Sequence, residues 1–193
     1  MRTPIIFCDF FGVVISEIAP VWLERYFPPE EAAVIKADIF NRADCGLISE
    51  EQAYLELSEK TGVPPAQIRA EWDALVKINS GLADFLRLVK QRYPVYLLSN
   101  AMSPHIRRIL DENDLYSAFD RVFISSEMRR IKPDPAFFTE VLETLHADPA
   151  KTVMIDDNPK NIQGAKQAGL SGIIYRNNQQ LFSEVSQFLH RQR

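Results

Sequence analysis

The chain has 193 residues, of which 46% are hydrophobic and 25% charged, with a formal net charge of −4 and a pI of about 5.5. That length supports one sizeable core with a small accessory domain, and the acidic balance offers no basic field to nucleic acid or to an anionic lipid surface. No stretch is long and apolar enough to span a membrane, and the first apolar run is too short for a signal peptide. The two cysteines, Cys8 and Cys45, form no disulfide framework and read as reduced thiols of a cytoplasmic protein.

The first element is Pro4-Ile5-Ile6-Phe7-Cys8-Asp9-Phe10-Phe11-Gly12-Val13-Val14, an apolar run that reads as a buried strand ending in a single carboxylate and then a glycine. Alone, Asp9 and Gly12 would suit a turn. Residues 17–27, 30–41, 50–61 and 65–78 then show helical spacing, punctuated by Pro28-Pro29, Cys45-Gly46 and Gly62-Val63-Pro64-Pro65. Ser49 and Gln52 fit a capping box. From Gly81 onward helix and strand alternate. Strands are expected at Val95–Leu98, Val122–Ile124, Thr152–Ile155 and Gly172–Tyr175. Ser103-Pro104, Asp134-Pro135 and Asn158-Pro159 each read as an N-cap followed by proline at the first helical position, and a last helix carries Leu181, Val185, Phe188 and Leu189 inward.

Alternation of this kind gives an α/β fold, a Rossmann-like parallel sheet with helices on both faces, here with a helical block placed after the first strand. Ligands of such sheets sit beyond the carboxyl ends of the strands. Asp9, Ser99, Lys132 and the pair Asp156-Asp157 all fall at or just past strand ends. Three carboxylates in one crevice repel and raise one another's pKa unless a cation sits among them. Oxygen ligands without histidine or cysteine suit Mg²⁺. Ser99, Asn100 and Lys132 add a hydroxyl, an amide and an ammonium, which are the equipment for holding an anion. A metal, an anion site and a nucleophilic aspartate together describe phosphoryl transfer.

Four segments in chain order, Asp9-Phe10-Phe11-Gly12-Val13, Leu98-Ser99-Asn100, Lys132-Pro133-Asp134-Pro135 and Met154-Ile155-Asp156-Asp157-Asn158 with Asn161 beyond, resemble the motifs of the haloacid dehalogenase-like (HAD) hydrolase superfamily. The resemblance implies Asp9 as the nucleophile that becomes an aspartyl-phosphate, with Ser99 and Lys132 holding the phosphate. It implies Mg²⁺ bound by Asp9, the main-chain carbonyl of Phe11, and Asp157 together with Asp156, directly or through water. It also implies a core of residues 1–14 and 80–193, a cap of residues 15–79 closing over a small phosphorylated substrate, and likeness to capped sugar-phosphate phosphatases and to the phosphatase half of soluble epoxide hydrolases. Specificity would lie on the cap, where Arg42, Asp44, Trp72 and Lys77 are candidates, although each also reads as an ordinary surface or core residue.

Two positions depart from the pattern. The family's phosphatases usually carry a second aspartate two residues after the nucleophile, as general acid–base, and this chain has Phe11. His105 is the nearest substitute by sequence, although it reads as a helix-surface histidine. Arg129 stands where the loop before the lysine usually has glycine, which would alter the loop or add a phosphate contact. An aromatic residue after the nucleophile also occurs in the haloacid dehalogenases, so a metal-free 2-haloacid dehalogenase is the alternative reading; a weakened binding protein is a third. The sequence specifies neither substrate nor oligomeric state.

Overall fold

The centre of the molecule is a strand whose last three residues, Ile6, Phe7 and Cys8, are fully buried. In the computed structural model, which describes residues 3–192, β1 (Ile5–Cys8) is followed by a helical run. This comprises α1 (Ala19–Leu23), α2 (Pro29–Ile35), a π-helical stretch (Lys36–Phe40), α3 (Asn41–Asp44), α4 (Glu50–Thr61) and α5 (Pro65–Asp73). Alternation then takes over, with α6 (Ser80–Lys90), β2 (Val95–Ser99), α7 (Ser103–Glu112), β3 (Arg121–Ile124), α8 (Ser125–Met128) and α9 (Pro135–Thr144). The chain finishes with β4 (Thr152–Asp156), α10 (Pro159–Gln167), β5 (Ser171–Ile174) and α11 (Asn178–Arg191).

The five strands form one parallel sheet in the order β3-β2-β1-β4-β5. Successive side chains of a strand point to opposite faces, and the apolar core divides accordingly. Phe7, Leu98 and Met154 pack with Phe137, Phe138 and Ile162 of α9 and α10. Ile6, Cys8, Leu97 and Ile155 pack on the other face with α6, α7 and α11, and this second core runs on without a break into the helical run. The parallel α/β sheet covered on both faces agrees with the sequence pattern. The strand order reverses at β1, between β2 and β4, which is where such sheets bind ligands. None of the described helices is long and apolar enough to cross a membrane.

Local signals explain most boundaries. Ser49 and Gln52 form the capping box of α4. Asp134 and Asn158 accept from Ala136 and Lys160 at the starts of α9 and α10. Ser103 differs from expectation: Met102 is the N-cap of α7, and Ser103 is its first helical residue, its hydroxyl turned to Glu127. Three helices of the run also differ from their spacing. The first holds only Ala19–Leu23. The second changes to π-helix from Lys36 to Phe40. The last stops at Asp73, because residues 75–78 are drawn alongside the exit of β1. There Ser16 N–H donates to the Lys77 carbonyl at 3.0 Å, Asn79 N–H to Val14 at 2.9 Å, and Ile15 bridges Ile78. Both connectors of the helical run therefore lie side by side over the sheet.

A polar contact fastens the run onto α7. Arg108 reaches Asp73 of α5 at 3.1 Å and Glu50 of α4 at 3.6 Å, while Glu50 is 6% exposed and also accepts from Tyr54 at 3.0 Å. Removing one partner leaves a buried charge uncompensated. We expect Arg108→Met to lower the unfolding free energy by about 3 kcal/mol, read by denaturant titration, and Arg108→Met/Glu50→Gln to recover part of it. Unchanged stability in the single variant would show that the charge pair holds nothing together.

Candidate active site

One ammonium joins the carboxyl ends of three strands. Lys132 Nζ lies 2.7 Å from Asp9 Oδ1, 2.8 Å from Asp156 Oδ2 and 3.0 Å from the Leu98 carbonyl, so residues at the ends of β1, β4 and β2 use all three of its donors. The lysine is 2% exposed. Burial works against its charge, yet the Asp156 and Asp9 carboxylates win and raise its pKa. The loop that delivers it is clamped by Asn100. That side chain accepts from Lys132 N–H and donates to the Lys132 carbonyl, both at 2.8 Å. Asn100 is thus the fastening of the lysine loop, and it also lines the cavity above.

Asp156, the last residue of β4, is wholly buried. One oxygen accepts from Asn158 N–H at 2.9 Å, the other from Lys132, and Asn161 donates to both at 3.0 and 3.1 Å. Asp9 is different. Its Oδ1 takes Lys132 and the Phe10 N–H at 2.7 Å, whereas its Oδ2 has no hydrogen-bond partner among the described residues. Asp157 completes the group: ligand atoms of Asp9, Asp156 and Asp157 lie within 4.8 Å of one another. Burial, followed by the Asp156 charge, raises the pKa of Asp9 and of Asp157, with Lys132 pulling the other way. The cluster therefore favours a cation, and its all-oxygen donors suit a hard one. Since the oxygens of Asp156 are already engaged, Asp9 and Asp157 have the freer ligand atoms. Gly12 makes room for them: it has φ +75°, and a Cβ there would run into the Asp157 carboxylate.

Ser99 closes β2 with a buried hydroxyl that has no partner among the described residues. Arg129 adopts φ +55° at the end of α8. The left-handed turn that glycine would make freely is thus kept by an arginine, at a cost of about 1–2 kcal/mol, and Arg129 does not line the cavity.

Above the cluster lies a cavity of about 270 Å³ between the sheet and the helical run. Its floor holds Asp9, Lys132, Asp157 and Phe11; from the run come Glu17, Lys36, Phe40, Asp44 and Trp72. Of the specificity candidates, Asp44 and Trp72 face this space. Arg42 instead pairs with Asp38 and Glu56, and Lys77 lies in the connector beside Ser16. His105 is not on the helix surface but 2% exposed. It stacks on Phe11 with ring centroids 6.1 Å apart and planes 4° from parallel, and it meets Arg108 at Nδ1, 3.2 Å away. Burial and the Arg108 charge hold its pKa down at about 4, and its Nε2 is enclosed without a partner. It is a neutral wall residue. Glu17, Lys36 and Phe40 escaped the sequence reading because it placed them inside regular helices. Pro20, which starts α1 late, is the signal that Glu17 lies in a loop.

A family model for haloacid dehalogenase-like hydrolases matches residues 5–169. The chain belongs to this family. Among solved structures it is similar to the HAD family enzyme BT-2542 of Bacteroides thetaiotaomicron, with TM-score 0.80 and 26% identity over 94% of this chain and 99% of that one. That enzyme has also been solved with magnesium and inorganic phosphate, where the TM-score is 0.78 and the identity 27% over 94% and 100%. Among curated proteins the chain is 31% identical over 100 residues to a phosphorylated carbohydrates phosphatase of Thermotoga maritima, covering 51% of this chain and 46% of that protein. It is 24% identical over 149 residues to the drimenol cyclase DrtB of Aspergillus calidoustus, covering 74% and 28%. The chain thus spans less than half the length of these two curated relatives. It is a HAD hydrolase with phosphatases among its relatives, and its carboxylate cluster can hold a metal.

Gly12 tests whether that cluster is held as the backbone suggests. We expect Gly12→Ala to lose about 1–2 kcal/mol of stability and to weaken divalent-cation binding about 10- to 100-fold by calorimetry. Wild-type affinity would mean that Asp157 does not depend on the space Gly12 leaves.

Proposed function

We propose that this protein is a Mg²⁺-dependent phosphatase of a small phosphorylated metabolite such as a sugar phosphate, acting through an aspartyl-phosphate on Asp9. The observation that carries the reading is the unpartnered Oδ2 of Asp9, set beside Asp157 and under the positive charge of Lys132. In this scheme Asp9 Oδ2 attacks phosphorus. The orphaned Ser99 hydroxyl gains a phosphate oxygen as partner, which relieves the cost of a buried hydroxyl left unmade. Lys132, whose donors are engaged, contributes charge rather than a new hydrogen bond, and Asn100 keeps it in place. Asp9, Asp157 and the Phe11 carbonyl would hold Mg²⁺, with Asp156 shaping their field. The ion would neutralise charge on the transferring phosphoryl group.

The cavity supports a small substrate. Phe11, Phe40 and Trp72 offer apolar walls suited to the C–H face of a sugar, while Lys36, Glu17 and Asp44 offer polar groups to hydroxyls. The segment 15–79 acts as the cap of this scheme, and the working location is the cytoplasm. Phe11 favours one competing reading, a metal-independent 2-haloacid dehalogenase. A carbon–halogen displacement has no use for Asp157 beside Asp9, so the acid pair favours phosphoryl transfer.

Asp9→Asn keeps the side-chain volume and removes the nucleophile. We expect no phosphate release above background from a panel of sugar phosphates and nucleotides, and no halide release from haloacids, with the fold kept by circular dichroism; comparable turnover would remove Asp9 from the role. For the metal, chelator is expected to stop phosphate release and added Mg²⁺ to restore it, with Asp157→Ala not rescued at millimolar Mg²⁺. Full activity in chelator, or halide release from haloacids, would support the dehalogenase instead.

A further inference from the structure

This inference rests on the phosphatase reading and supplies what it lacks, a source of protons. When the phosphorus–oxygen bond breaks, the leaving oxygen keeps the electron pair, and an alcohol leaves readily only if that oxygen is protonated. Phe11 carries no proton to give, Lys132 has all three donors engaged, and the Nε2 of His105 is enclosed. Four carboxyl groups line the cavity: Asp9, Glu17, Asp44 and Asp157. Asp9 is the nucleophile and Asp157 belongs to the cation cluster. Burial, with the Asp157 and Asp156 charges behind it, raises the Glu17 carboxyl against the pull of Lys36; that repulsion places it beside the cluster, where a bound cation would favour its ionised form.

Asp44 stands apart. It ends α3, and the chain then turns sharply through Cys45 and Gly46. Gly46 N–H donates to Ala43 and Leu47 N–H to Arg42, at 2.9 and 2.8 Å, the paired bonds of a Schellman motif. Gly46 has φ +66°, and a Cβ there would collide with the Ser126 carbonyl of α8. The turn is thus pressed against the α/β half of the molecule, which fixes where Asp44 sits. Its carboxyl has no hydrogen-bond partner among the described residues and lines the cavity with Asp9 and Lys132.

We propose that Asp44, carried in by the helical run, is the general acid–base of this hydrolase, protonating the leaving oxygen and then taking the proton of the attacking water. In the first half, an Asp9 oxygen bonds to phosphorus, the bond from phosphorus to the leaving oxygen breaks, and the Asp44 proton passes to that oxygen. In the second, a water oxygen bonds to phosphorus while Asp44 takes its proton. The Asp9–phosphorus bond breaks with its electron pair returning to the carboxylate, and phosphate departs. Asp44 ends as it began. Burial pushes its carboxyl up to about 7, against the pull of Lys36 and Lys132, so both protonation states are populated near neutrality, as the two halves require. The substrates this admits are esters of ordinary alcohols, whose oxygen cannot leave without a proton.

The experiment measures turnover of a series of aryl and alkyl phosphate monoesters against leaving-group pKa, with Mg²⁺, in the wild type, Asp44→Asn, Asp44→Ser and Glu17→Gln, alongside thermal melting. Using two replacements of Asp44 prevents one misfolded variant from deciding the result. Expected are a shallow dependence in the wild type and a steep one in both Asp44 variants, with alkyl phosphates slowed about 10²- to 10⁴-fold. With p-nitrophenyl phosphate, which needs no proton to leave, the Asp44 variants should release a burst of one nitrophenolate per site before a slow steady state. A wild-type slope in the folded Asp44 variants, a uniform loss on every ester without a burst, or a slope change in Glu17→Gln instead would each overturn the proposal. Failure of the wild type on even the most acidic leaving groups is a different result: it would overturn the phosphatase reading, and Asp44's role with it.

Discussion

The buried ammonium of Lys132 is the interaction on which the rest of the site depends. Removing lysine from water costs several kcal/mol, and here the cost is met by two carboxylates and a carbonyl at hydrogen-bond distance. Each of those partners ends a different strand, so the contact also fixes the relative positions of β1, β2 and β4 at the reversal point of the sheet. Without the lysine, Asp9 and Asp156 would face each other as buried like charges, and one would take up a proton. Three carboxylates and one ammonium leave a formal charge of −2 in the cluster. A divalent cation would balance it. The lysine is therefore what permits three acids to occupy one crevice with only one ion to be supplied from outside.

The same contact divides the labour among the acids. Asp156 is saturated by Lys132, Asn158 and Asn161, so its charge shapes the field while its oxygens are not free to move. Asp9 gives one oxygen to Lys132 and the Phe10 N–H and leaves the other without a partner among the described residues. Asp157, next to Gly12, is the least confined of the three. This ordering, from locked to free across one group of carboxylates, follows from hydrogen-bond counts alone.

Much of this was legible in the sequence. Apolar runs ending in Asp9, Ser99 and Asp156 gave strands whose polar termini had to converge once the sheet was parallel, and Asp134, Asn158 and Ser49 announced their helices by side-chain caps. The failures came where a longer-range contact overrode a local signal. Ser103 resembles an N-cap, but Glu127 across the α7–α8 contact takes its hydroxyl. Residues 75–78 keep helical spacing, but hydrogen bonds to Ser16 and Val14 draw them out straight. His105 looks like a surface residue because its neighbours Arg107 and Arg108 are charged. Burial of its ring follows from the packing of Trp72 and Phe11 against it, which no local pattern records. The pairs of Arg108 with Asp73 and Glu50 join residues 35 and 58 positions apart, beyond the reach of any periodicity.

Phe11 shows how a change at one position reorganises the others. Its ring lies against His105 and edge-on to Phe10, so an acid there would face a neutral imidazole and apolar walls, with no partner for its charged form. The floor of the cavity becomes apolar beside Asp9, and among the described residues the cavity carboxyls outside the cation cluster, Glu17 and Asp44, both descend from the helical run. Under the assignment of Asp44, charge is managed by the sheet and the proton by the run above it. Chemistry then requires both halves to be in contact, which the Gly46 turn against Ser126 and the Arg108 pairs maintain. Where the acid shares a loop with the nucleophile, the proton source is present whether or not the site is covered. Under the Asp44 assignment the helical run supplies both the cover of the cavity and its acid, while the sheet supplies the charged cluster.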